Sequence, residues 1–266
     1  MHMSLLAVIL LGLVEGLTEF LPVSSTGHLI LAGEMMSVPQ GSETFDIVIQ
    51  LGAILAVVVV YRHKFAEVLA GLARRDPKAI RFTRNVLVGF LPAAAIGAVA
   101  YGAIKVMLTK PIIVAVALIV GGIAILLIER MVKRITVESV EGMPLKTVMG
   151  IGFMQCLAMI PGISRSGATI MGALTLGVER KTAAEYSFFL AIPTMLGATT
   201  LALWKARHNL GDAQATDIAI GFGISFVVAI LVIRWFLAVV MRHGFAPFAW
   251  YRIVVGSAAL VWLLAR

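Results

Sequence analysis

The chain has 266 residues, a formal net charge of +8 and 60% hydrophobic residues. Only 14% of its residues are charged, against about 25% in an ordinary soluble domain. A soluble fold of this size could not hide so much apolar surface, disorder needs low hydrophobicity, and the class left is an integral membrane protein with several spans.

The single cysteine, Cys156, excludes an internal disulfide framework and a cysteine metal cluster. The basic residues lie between apolar runs, where membrane topology explains them better than nucleic acid. No cleaved leader is expected. No Lys or Arg precedes Arg62, and the first apolar run meets Glu15.

A bilayer core of about 30 Å takes about 20 helical residues. The first apolar stretch, 5–36, is broken by Glu15, Glu19, Pro22 and Ser24-Ser25-Thr26-Gly27-His28. Unbroken runs follow at 45–61, 85–104 and 111–128. A second interrupted stretch, 147–178, is broken by Pro161, Gly162 and Ser164-Arg165-Ser166-Gly167. Further runs lie at 186–204, 218–241 and 247–265. Non-helical backbone survives at membrane depth only where protein or a watery cavity surrounds it. Both interrupted stretches therefore read as re-entrant hairpins, each a helix, a polar tip and a second short helix.

The two hairpins are related. A shift of 140 residues puts Gly12 on Gly152, Glu15 on Gln155, Leu17 on Leu157, Ser24 on Ser164, Thr26 on Ser166 and Gly27 on Gly167. Leu51-Gly52-Ala53 matches Leu196-Gly197-Ala198 after a small insertion. Three spans between the hairpins invert the second half. The expected fold is an all-α polytopic membrane protein of six transmembrane helices and two re-entrant helical hairpins in an inverted-topology repeat. Residues 1–266 form one membrane domain, with halves 1–128 and 145–266.

Lysines and arginines set the orientation. Loops 62–84, 129–146, 179–185 and 242–246 carry 14 basic residues, and the opposite side carries 5: Lys105, Lys110, Lys205, Arg207 and Arg266. The richer side is expected to be cytoplasmic, with both termini outside. Arg234 and Arg252 lie near predicted cytoplasmic ends and read as snorkelling side chains.

Glu15 and Glu19 are four apart and share a helix face. Two carboxylates in an apolar segment repel each other unless a cation lies between them, so they point to a divalent metal or to proton transfer. Pro22 is expected to end their helix near Leu21. Ser24 and Thr26 are candidate caps of the next helix, whose free N–H groups suit a phosphate, and Gly27 permits close approach. Ser24 or Ser25 could be a nucleophile with His28 as base. In the second tip, Ser164, Ser166, Gly167 and Thr169 repeat the device. Arg165 sits deep in an apolar stretch, where its fork suits a phosphate. An ion pair with Glu15 or Glu19 would also satisfy Arg165 and would itself bring the tips together. Asp46, Gln50, Gln155 and Glu185 are candidate supporting groups, and His63, His208 and His243 read as solvated. No phosphate-loop, zinc or dinucleotide motif occurs.

The string Glu15-Gly16-Leu17-Thr18-Glu19-Phe20-Leu21-Pro22-Val23-Ser24-Ser25-Thr26-Gly27-His28 resembles the first signature of the undecaprenyl-diphosphate phosphatase, or bacitracin-resistance, family. Pro161-Gly162-Ile163-Ser164-Arg165-Ser166-Gly167-Ala168-Thr169 resembles its second, and Phe45-Asp46-Ile47-Val48-Ile49-Gln50-Leu51-Gly52 fits as well. The resemblance covers essentially the whole chain. It implies a multi-pass enzyme of the bacterial inner membrane, and the charge asymmetry is expected to face its active site outward. The implied reaction hydrolyses undecaprenyl diphosphate to undecaprenyl phosphate, recycling the lipid carrier for cell-wall synthesis and conferring bacitracin resistance. It also implies a divalent cation, magnesium or calcium. The expected catalytic residues are Ser25, His28, Glu19 and Arg165, with Glu15 and Glu19 as metal ligands. Ser24, Thr26, Gly27, Ser164, Ser166, Gly167 and Thr169 are expected to bind substrate. A transporter of a polyprenyl phosphate or small anion is the competing reading, since inverted repeats with broken helices also suit transport.

Overall fold

The structure, a computed structural model, describes residues 3–36, 43–132, 135–206 and 212–265. Lys133, Arg134, Arg207, His208 and Arg266, which entered the loop readings, lie outside the described residues. The elements in chain order are α1 (Leu5–Thr18), α2 (Ser25–Met35), α3 (Glu43–Val60), α4 (Arg62–Ala73), α5 (Pro77–Leu108) and α6 (Pro111–Met131). They continue with α7 (Leu145–Cys156), a 3-10 turn (Leu157–Met159), α8 (Arg165–Thr175), α9 (Arg180–Ala206), α10 (Asp212–His243) and α11 (Ala246–Ala265). Among the described residues there is no strand, only an isolated parallel bridge between Val137 and Val178.

Among the described residues, four helices are long and apolar enough to cross a membrane: segments Pro77–Ala100, Pro111–Met131, Ala215–His243 and Ala246–Ala265. A fifth span counts if α3 and α4, which meet at a 72° bend, are taken together. α9 is long enough at 27 residues but more polar, with Arg180, Lys181, Glu185 and four threonines. It lies between α3, α5 and α8, where protein covers Tyr186, Phe188, Leu190 and Ala191. A helix shielded from lipid need not be apolar all round. Outward-facing Leu231, Val254, Val261 and Leu264 are exposed, an apolar exterior that suits hydrocarbon and not water.

The stretch 62–84, read as a loop, is instead α4 followed by the first turns of α5. Phe65, Val68, Leu69 and Leu72 recur at helical spacing, an apolar stripe among charged neighbours. α1 also ends earlier than expected, at Thr18 rather than near Leu21. Pro22 has no N–H, and its ring would meet the Thr18 carbonyl four residues back. Glu19 keeps helical dihedrals as the last cap, so it still shares a face with Glu15.

Glycines set the closest helix contacts. A Cβ at Gly12 of α1 would stand 2.9 Å from the Gly221 carbonyl oxygen of α10, and one at Gly52 of α3 would stand 2.5 Å from that of Phe222. A Cβ at Gly152 of α7 would stand 2.5 Å from the Gly89 carbonyl oxygen of α5, while that of Gly197 of α9 would lie 3.9 Å from the Phe90 ring.

Each break is a cap on a new helix. Ser24 accepts from the Gly27 N–H at 3.3 Å to start α2, and Ser164 accepts from the Gly167 N–H at 3.0 Å to start α8. The second turn also needs Gly162, whose φ of 94° favours glycine. The two tips touch: Ser166 donates to the Leu21 carbonyl at 2.7 Å, and Ser164 donates to the same oxygen at 3.4 Å.

Candidate active site

Between the tips lies a cavity of about 460 Å³. Glu19, Ser24, Ser25, Thr26, Ser164 and Arg165 line its polar end, joined by Asp46, Gln50, Gln155 and Thr194. Leu29, Ile30, Ile47, Ala93, Met159 and Met195 give it apolar walls. Such a shape accepts a polar head with an apolar chain behind it.

Three side chains meet inside it. Ser25 donates its hydroxyl to Glu19 Oε2 at 2.5 Å. Arg165 donates through Nη2 to Glu19 Oε1 at 2.6 Å and through Nη1 to the Ser187 carbonyl at 2.8 Å. The alternative weighed against phosphate binding, an ion pair of Arg165 with a carboxylate, is the contact present, with Glu19 as the partner. Glu19 is held on both oxygens, one by the hydroxyl and one by the cation. A serine hydroxyl aimed at a carboxylate has an acceptor for its proton in place. The adjacent Ser24 takes a φ of 71°, a strained value for a residue with a Cβ, as the chain turns into the helix that begins with Ser25.

Glu15 is fully buried, and neither of its carboxylate oxygens has a hydrogen-bond partner among the described residues. Gln155 Nε2 and Arg165 Nε are likewise without partners there. An ionised carboxylate left this way is costly, and a ligand or ion that meets it relieves the cost.

The expected Ser25–His28 pair does not form. His28 places Nδ1 2.8 Å from the Ser24 carbonyl and Nε2 2.9 Å from the Tyr251 hydroxyl, with its ring stacked on Tyr251 at 9° between planes. One helical turn separates the two residues, but the α11 tyrosine draws the imidazole elsewhere. Of the expected substrate contacts, Ser24, Thr26 and Ser164 reach the cavity. Ser166 and Thr169 are buried, and their hydroxyls go to the Leu21 carbonyl and to Ser187 Oγ. Gly27 packs beneath Val114 of α6, where a Cβ would stand 3.1 Å from Cγ1. Gly167 gives its N–H to the Ser164 cap. Asp46, Gln50 and Gln155 line the cavity, whereas Glu185 accepts from the Tyr61 hydroxyl at 3.4 Å.

Arg252 also departs from its expected place. It does not snorkel. It is 2% exposed and donates only to backbone carbonyls among the described residues: Pro22, Ala117, Leu118 and Gly162. Arg165 is therefore not the only deep cation. Arg234 is exposed, as expected.

An all-helical multi-pass membrane protein with a hydroxyl–carboxylate–guanidinium site between two broken helices is thus the class that fold and site define. The chain matches the model of the bacitracin resistance protein BacA family over residues 8–258, and it belongs to that family. It is 81% identical over 266 residues to an undecaprenyl-diphosphatase of Rhizorhabdus wittichii, with all of both chains covered. It is 63% identical over 264 residues to one from Sphingopyxis alaskensis, and 55% identical over 268 residues to one from Novosphingobium aromaticivorans, each with 99% of both chains covered.

Proposed function

We propose that this chain hydrolyses undecaprenyl diphosphate to undecaprenyl phosphate and inorganic phosphate, recycling the lipid carrier for cell-wall synthesis and conferring bacitracin resistance. The observation that carries the reading is Ser25 on Glu19 and Glu19 on Arg165, inside a cavity whose walls turn apolar. Ser25 Oγ attacks the terminal phosphorus while Glu19 takes its proton. The bond from that phosphorus to the bridging oxygen breaks, and undecaprenyl phosphate leaves. Water then hydrolyses the phosphoserine. Arg165 and the starts of α2 and α8 stabilise the charge on the transferring group. Purified protein in detergent, where transport is impossible, should release phosphate from the lipid diphosphate. Binding without release would favour the transporter.

Six spans and two re-entrant hairpins, arranged as an inverted repeat within one membrane domain, form the architecture of this reading. The glycine contacts support it. α1 and α3 use Gly12 and Gly52 against Gly221-Phe222 of α10, while α7 uses Gly152 against Gly89 of α5. The protein lies in the bacterial inner membrane with termini and site outward. The 14-to-5 basic asymmetry supports that orientation. A cysteine placed in the 74–76 turn should resist an impermeant thiol reagent in intact cells; ready labelling from outside would reverse the orientation.

Glu15, with Glu19, would hold a magnesium or calcium ion. The residues fit: Glu15 offers two unpaired buried oxygens, and magnesium is commonly held by one or two carboxylates plus substrate phosphates. Among the described residues no group of three or more His, Cys, Asp or Glu could hold a metal, so substrate and water would have to supply the remaining ligands. When bound, the cation supplies positive charge against the diphosphate oxygens. Glu15→Gln should raise the cation concentration for half-maximal activity with little loss of folded protein. An unchanged cation dependence would give Glu15 another purpose.

A further inference from the structure

A guanidinium withdrawn from water is costly unless every donor finds an acceptor. All three guanidinium nitrogens of Arg252 find acceptors, and none of those acceptors is a carboxylate. Nη1 donates to the Pro22 carbonyl at 2.9 Å, and Nη2 donates to the carbonyls of Gly162 at 2.8 Å and Ala117 at 3.0 Å. Nε donates to the Leu118 carbonyl at 3.3 Å. Pro22 and Gly162 are like positions. Each lies two residues before its serine cap, and they are 140 residues apart, the shift that relates the hairpins. One planar fork thus grips both tips at the same point and ties them to α6. Gly121 of α6 leaves room for it, since a Cβ there would collide with the guanidinium. The preceding residue, Tyr251, holds His28 of the first tip.

We propose that Arg252 is a positioning residue for phosphoryl transfer, setting the spacing between Ser25 and Arg165 through the Pro22 and Gly162 carbonyls. This rests on the assignment of Ser25, Glu19 and Arg165 as the reacting site. Reactive groups tolerate little misplacement: about 1 Å can lower a rate roughly 10²-fold. The charge of Arg252 is spent on carbonyls, so its effect on the reaction passes through the backbone.

The test is a double-mutant cycle on detergent-purified full-length protein with undecaprenyl diphosphate. Arg252→Gln should lower kcat by about tenfold or more, with KM changed less than about threefold. In an Arg165→Ala background the same change should cost less than about twofold, because the placement it spoils no longer matters. Amide exchange should rise in peptides covering 20–28 and 160–167 and stay level in α3 and α9. Equal fold losses in both backgrounds, a kcat above about half of the parent value, or unchanged exchange at the tips would overturn the proposal. If Arg165→Ala alone keeps full activity, the site assignment fails instead. Where Arg252→Gln does not accumulate, Arg252→Lys, which keeps the charge but not the fork, goes through the same cycle with the same outcomes.

Discussion

Arg165→Ala should lower kcat/KM for undecaprenyl diphosphate by about 10²–10³, or roughly 2.7–4 kcal/mol of barrier, the scale of losing one preorganised donor to a transition-state oxyanion. Arg165→Lys should fail almost as fully. The guanidinium spans Glu19 Oε1 with one arm and the Ser187 carbonyl with the other. A lysine offers one compact ammonium and cannot reach both in that plane. Losing the cation also removes the contact that holds Glu19 Oε1. Phosphate release, measured with the folded fraction by size exclusion, checks this. Near-parental turnover in a folded Arg165→Lys would remove the argument from the fork.

Ser25→Ala should abolish turnover to below about a tenth of the parent, a barrier increase above about 1.4 kcal/mol. Glu19→Gln should match it, because an amide cannot take the serine proton. His28→Ala should cost less than either. Its ring holds the Ser24 carbonyl and Tyr251, so its removal loosens the tip without removing the base. Acid-quenched, labelled substrate should leave a phosphoserine on Ser25. If Ser25→Ala keeps more than a tenth of parental turnover, direct attack by water with Glu19 as base, or attack by His28, becomes the mechanism. If His28→Ala is the worst of the three, the proton goes to the imidazole.

What the sequence made legible was local chemistry. Pro22 and Pro161-Gly162 cannot continue a helix, and a serine before an apolar run caps the next one, so both breaks follow from neighbours in the chain. A guanidinium deep in an apolar stretch needs an anion, and Glu19 provides it. What stayed hidden depends on elements far apart. Arg252 sits near a helix end, where snorkelling is the ordinary outcome; only the carbonyls of Pro22, Ala117, Leu118 and Gly162 make it a core residue. His28 was placed with Ser25 by spacing alone, but Tyr251, 223 residues away, takes its ring. α4 carried a visible apolar stripe, yet its charges masked it as a loop. The membrane class needed only composition.

Ser25 and Arg165 are each the first residue of a helix that follows a serine cap. The shift that matches the caps lays one upon the other. Like scaffolds therefore present unlike chemistry, an electron donor on one side and a cation on the other. A diphosphate has the same character, two similar phosphoryl groups of which one carries a hydrocarbon ester. Were both tips to offer serine, or both arginine, such a ligand could lie either way round. In the proposed mechanism, dividing the two tasks between matching positions would give the site polarity, with the free phosphoryl end facing the hydroxyl and the esterified end departing along the apolar wall.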